Sequence, residues 1–124
     1  RLGHSGAYWS VKPPGWQALL KLPLVDACAL QWKMTVAATL QSAKKLPREQ
    51  YMAVKYEEFV ARPAEIFKRV GAKCDLVWQD ALLQAITVGM DNRNFKWQTE
   101  MQDSDKKTLN VLLGDFLKPL GYAV

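Results

Sequence analysis

Between Pro23 and Pro47 the apolar residues Val25, Cys28, Trp32, Val36 and Leu40 recur every three or four positions, the interval at which side chains stack along one face of an α-helix. No other feature constrains the folding of this chain so tightly. The spacing predicts a helix over about residues 24 to 45, and Pro47 ends it, because proline carries no amide donor and biases its predecessor away from helical geometry. Upstream, Lys12-Pro13-Pro14-Gly15-Trp16 reads for the same reason as a rigid, aromatic-bearing loop.

Downstream of Pro47, Tyr51-Met52-Ala53-Val54-Lys55-Tyr56 is an apolar run too short for a helix and bounded by polar residues, which predicts a buried strand. A strand must pair its backbone groups, and no second strand is evident, so its neighbours are expected in sequence that this chain lacks. Pro63 then stands at a first helical position ahead of Ile66, Phe67 and Val70, with Gly71 as the stop. A further helical pattern, Leu76, Leu82, Leu83 and Ile86, runs from about Asp75 to Val88 and ends at Gly89. Asp91-Asn92-Arg93-Asn94-Phe95-Lys96-Trp97 has no period and many turn formers, which predicts a loop, with Trp97 packing it onto the helices. A last helix, capped by Asp103 or Ser104, turns Leu109, Leu112, Leu113, Phe116 and Leu117 inward before Pro119 and Gly121 close the chain.

The 124 residues are one domain's length at most, with room for one modest core. A composition 49% hydrophobic and 23% charged excludes a disordered or fibrous chain. No apolar run reaches membrane-spanning length and the opening segment has no signal-peptide core. The chain begins Arg1-Leu2-Gly3 without an initiating Met, so a partial chain is expected. Cys28 and Cys74 are the two cysteines and His4 the one histidine, too few for a zinc site. A bridge and two buried thiols are both open to such a pair; the apolar stripe under Cys28 favours buried thiols and a reducing compartment. His4 has no nucleophile partner in its Gly-Ser loop, and neither a P-loop motif nor GxGxxG is present, which excludes the usual hydrolase and dinucleotide readings. The net charge of +5 favours anionic partners, whether nucleic acid, an acidic protein or a multiply charged nucleotide. The basic residues are scattered, with no block of the kind that tracks nucleic acid.

One stretch is specific. Val54-Lys55-Tyr56-Glu57-Glu58-Phe59-Val60-Ala61-Arg62-Pro63 resembles the pattern of sulfotransferases in which an aliphatic strand ends in Arg or Lys, followed by Tyr-Glu-Asp, Leu-Val, two variable residues and Pro. Four other segments agree in order: Lys12-Pro13-Pro14-Gly15-Trp16, the helix segment Cys28-Ala29-Leu30-Gln31-Trp32, the loop Asn92-Arg93-Asn94-Phe95-Lys96-Trp97, and the ending Leu117-Lys118-Pro119-Leu120-Gly121-Tyr122. Their spacing is most similar to bacterial and tyrosylprotein-type sulfotransferases. The cysteine pairs of the secretory tyrosylprotein enzymes have no match, which favours a bacterial-type, cytoplasmic protein.

The resemblance implies a P-loop-like α/β fold with a central parallel sheet, of which this chain would be the C-terminal part, mostly helical with one short strand. It implies a sulfuryl donor, 3′-phosphoadenylyl sulfate (PAPS), a hydroxyl acceptor, and no metal or nucleic acid. Carried over residue by residue, the cofactor-binding candidates are Tyr56, Asn92, Arg93 and Lys96, with Lys96 a point charge and Arg93 a fork toward phosphate. Glu57 is expected to be a structural hydrogen-bond acceptor rather than a base. Tyr8, Trp9 and Trp16 suit either an acceptor cleft or local packing, and Arg1 stands where a remnant of the 3′-phosphate-gripping segment would fall. The phosphosulfate loop and the base belong upstream, so the piece alone is expected to be inactive. A second reading from another class, a small basic helical module binding an acidic partner, accounts for the charge and the helices but not for the lone strand or the ordered motifs.

Overall fold

Prolines set many of the element boundaries. Pro23 precedes α1 (Leu24–Ala43), Pro47 precedes a 3-10 turn (Arg48–Gln50), and Pro63 opens α3 (Pro63–Lys73). At each place the missing amide is one that a helix start leaves without a partner anyway. In this computed structural model, residues 11–122 are described. The remaining elements are a 3-10 turn (Trp16–Lys21), α2 (Tyr56–Ala61), α4 (Asp80–Thr87), α5 (Lys96–Glu100), α6 (Asp103–Leu117) and a closing 3-10 turn (Lys118–Leu120). Among the described residues there are two compact units, one from residues 11–45 and 101–122, the other from residues 46–100.

In the first unit α1 packs against α6. Buried Ala27 and Ala29 on α1 and buried Gly114 on α6 are residues small enough to let neighbouring backbone approach closely. Trp32 meets Phe116 edge to face at 5.8 Å between ring centroids, an arrangement worth about 1 kcal/mol beyond the area it buries. Lys33 Nζ donates to the Leu112 carbonyl at 3.0 Å and lies 5.9 Å from the Phe116 ring centre. The expected inner stripe of α1 is only partly inside: Cys28 and Trp32 are exposed, and the most buried positions are Ala27 and Ala29. Periodicity shows which residues share a face, but the face buried deepest follows from what packs against it. Both cysteines are free and exposed, which corrects their expected burial.

The second unit is strung on three rings. Phe59 of α2 meets Phe67 of α3 at 5.4 Å, and Phe67 meets Trp78 at 5.3 Å, both edge to face. Ile66 and Leu83 are buried in this unit. Gly71 does not stop α3, which continues to Lys73. The helix closes where Leu76 N–H reaches back to the Gly71 carbonyl at 2.8 Å and Asp75 takes φ 55°, a left-handed turn of Schellman type. That turn brings the Trp78 ring onto Gly71, where an added Cβ would collide with the indole and lie 2.8 Å from the Leu76 carbonyl. Gly71→Ala is therefore expected to cost about 1–3 kcal/mol, read as a lowered urea midpoint. An unchanged midpoint would mean that the indole moves aside freely.

The expected parallel-sheet strand is absent, and the α/β assignment with it: among the described residues every element is helical. Tyr51 (φ −136°, ψ 138°) and Lys55 (φ −78°, ψ 142°) are extended, but extended backbone becomes a strand only by pairing, and no ladder forms. Tyr56 instead opens α2, whose first turn holds Glu57 and Glu58, acidic residues that suit a helix start. Other boundaries shift less. The αL residue Asp75 delays α4 to Asp80, Lys96 begins a short helix inside the expected loop, and α6 is preceded by Gln102 without a side-chain cap, Asp103 pairing with Lys106 at 3.0 Å instead.

Candidate functional site

The segment after α4 is shaped by local turn chemistry. Gly89 takes φ 76°, a conformation open to glycine at no steric cost. Asn92 Oδ1 accepts the Asn94 amide at 2.9 Å, an Asx turn. The Lys96 amide then donates to the Arg93 carbonyl at 3.3 Å, and Gln98 to Phe95 at 3.1 Å, winding the chain into α5. The corner so formed displays Asn92, Arg93 and Lys96, all exposed, within a short span of chain.

This corner is fastened to α2. The Asn94 side-chain amide donates to Glu57 Oε1 at 2.5 Å, a part-buried bond between residues 37 apart in sequence. A carboxylate only accepts and an amide nitrogen only donates, so the pairing has a single sense. Of the four candidate positions, Tyr56 opens α2 and is 46% exposed, next in sequence to the carboxylate that holds the loop. The structure thus gathers Tyr56 and the segment carrying Asn92, Arg93 and Lys96 into one unit. Glu57 is the hydrogen-bond acceptor expected of it, while its partner Asn94 is not legible in sequence: within the motif it looks like one more turn former.

The charges of the loop are uncommitted. Arg62 and Arg69 are drawn to Glu58 at 3.7 and 2.5 Å, and Lys68 to Asp80 at 3.4 Å, whereas among the described residues Arg93 and Lys96 enter no ion pair. Lys96 is a cation on a flexible stem, Arg93 a planar fork, Tyr56 an exposed phenol and Asn92 a side-chain amide, each a hydrogen-bond donor of a kind that the oxygens of an anion accept. Trp97 does not pack the loop down; it is 51% exposed, and Phe95 62%. Trp16 has Lys12 Nζ 4.8 Å over its ring, a local contact. Arg1, His4, Tyr8 and Trp9 lie outside the described residues.

Among the described residues no helix is long and apolar enough to cross a membrane. A family model described as "Sulfotransferase family" matches residues 6–80. The match takes in the proline loop, α1, Tyr56 and Glu57, and ends before the loop that carries Asn92, Arg93 and Lys96. No curated protein and no solved structure matches the chain.

Proposed function

Because this chain belongs to the sulfotransferase family, we propose that it furnishes part of the donor-nucleotide site of an enzyme that transfers a sulfuryl group from 3′-phosphoadenylyl sulfate to a hydroxyl acceptor. The observation that carries the reading is the Asn94–Glu57 hydrogen bond, by which a loop bearing two uncommitted cations is held against the helix that Tyr56 begins. The donor supplies the reactive sulfuryl group and leaves as adenosine 3′,5′-bisphosphate. The residues of this chain bind and orient it: Lys96 and Arg93 toward phosphate oxygens, Tyr56 and the Asn92 amide as hydrogen-bonding groups. A bacterial-type enzyme in a reducing, cytoplasmic compartment agrees with the free thiols of Cys28 and Cys74.

In this proposal the chain is the C-terminal part of its enzyme, and the groups that grip the sulfate and take the acceptor proton are supplied by other sequence. The sparse core supports it: besides Pro13 and the glycines Gly71 and Gly114, the buried apolar residues among those described are Leu19, Ala27, Ala29, Ile66 and Leu83, while Val77, Val88 and Val111 are more than four-fifths exposed. The interaction-module reading accounts equally well for described residues whose elements are all helical, since the lone strand no longer separates the two. The family match does. Titrating adenosine 3′,5′-bisphosphate into the 124-residue chain at low ionic strength is expected to show weak, saturable binding, with no sulfuryl transfer from the full donor. Absence of binding overturns the nucleotide reading; turnover overturns the division of labour, because positioning and proton removal would both have to reside here.

A further inference from the structure

The structure assigns to Glu57 and Asn94 a role that neither would have alone: we propose that they form the positioning pair that presents the Asn92–Lys96 corner to ligand. The inference rests on the nucleotide reading above and goes beyond it, since neither residue need touch the nucleotide. Asn94 is the single residue of 91–100 that is not exposed, so the segment meets the body of its unit at this corner. The two aromatic residues that would ordinarily anchor such a loop, Phe95 and Trp97, face solvent. Asn94 is also the hinge of the local turns: its backbone amide is held by Asn92 Oδ1 at 2.9 Å while its side chain reaches Glu57 at 2.5 Å. One residue therefore couples the conformation of Asn92 and Arg93 to the position of α2, and hence to Tyr56.

The bond has the chemistry for this task. In a part-buried place the loss of this bond costs more than it would at the surface, because removing Glu57 leaves the Asn94 side-chain amide partly desolvated without its acceptor. With the pair intact, Arg93 and Lys96 project from a fixed corner; without it, ordering the loop must be supplied at the moment of binding, which lowers affinity by the fraction of chains already ordered.

Amide hydrogen exchange and adenosine 3′,5′-bisphosphate titration on the full 124-residue chain test the proposal together. Glu57→Ala and Asn94→Ala are each expected to speed exchange at the Asn94, Lys96 and Gln98 amides about tenfold or more, and the double variant no further, with protection in α3 retained. Glu57→Gln, which keeps an acceptor oxygen and the side-chain volume, should restore most of the protection. Nucleotide affinity should fall in the same order across the series, although every residue proposed to meet the ligand is unchanged. Unaltered loop exchange in Asn94→Ala overturns the pair, as does a double variant whose effect is the sum of the singles. A wild-type chain without affinity for the nucleotide overturns the reading of the site, while the exchange series still judges the fastening by itself.

Discussion

Replacing Arg93 and Lys96 together by alanine is expected to weaken adenosine 3′,5′-bisphosphate binding about a hundredfold, roughly tenfold for each charge-assisted hydrogen bond removed. The lower end of the range for such bonds applies because both side chains are exposed and water competes for them. The two effects should multiply, since the residues share no ion pair with each other or with another described side chain. Removing two charges also lowers the net charge, so the comparison that matters is a variant with the same charge change elsewhere. Lys44→Ala with Lys107→Ala serves, both being exposed and in the other compact unit. An equal fall in affinity there would mean that the ligand senses only the overall field, and the loop assignment would fail. Binding by the wild type should weaken steeply with added salt, and the residual binding of the double loop variant should respond less.

Phe67→Ala is expected to destabilise the 46–100 unit by about 3 kcal/mol. Phe67 is the middle ring of the Phe59, Phe67 and Trp78 series, so its removal deletes two edge-to-face pairings and opens a gap under α2. It is half-buried, which places the effect at the lower end for a Phe-to-Ala change. Against a domain stability of only about 5–15 kcal/mol, a change of this size should appear as a large drop in the urea midpoint by far-UV circular dichroism. Phe67→Leu, which retains apolar volume but no ring, should recover part of it. A Phe67→Ala midpoint equal to that of the wild type would show that the ring series contributes shape rather than stability. Because α2 carries Glu57, the same variant is expected to loosen the candidate loop as well, linking the packing to the site.

Elements governed by local rules are legible in the sequence. α1 follows from a helical period fenced by prolines, α3 from Pro63 at a helix start, and α6 from its apolar face, each observed near its expected bounds. The departures have a common origin. Tyr51 to Tyr56 has the composition of a strand, yet pairing is a relation between distant segments, and without a partner Tyr56 turns to helix instead. Gly71 reads as a helix stop; it is glycine because Trp78 lies upon it, a closeness that no local rule contains. Cys28 belongs to an apolar stripe in sequence and to an exposed surface in the fold. At the site, motif resemblance singles out the basic loop and Tyr56 but not the fastening between them, because a carboxylate and an amide 37 residues apart leave no periodic trace.

By itself the amino-acid sequence determined where α1, α3 and α6 start, the excess of positive charge, and the family to which residues 6–80 belong. These depend on neighbours along the chain, through backbone geometry and side-chain spacing. Only the tertiary structure decided which helical face is buried, why residue 71 must lack a side chain, and that Asn94 holds a cationic corner against the carboxylate of α2. Those outcomes depend on atoms brought together in space, where close packing and hydrogen-bond pairing select among conformations that the local chain permits equally.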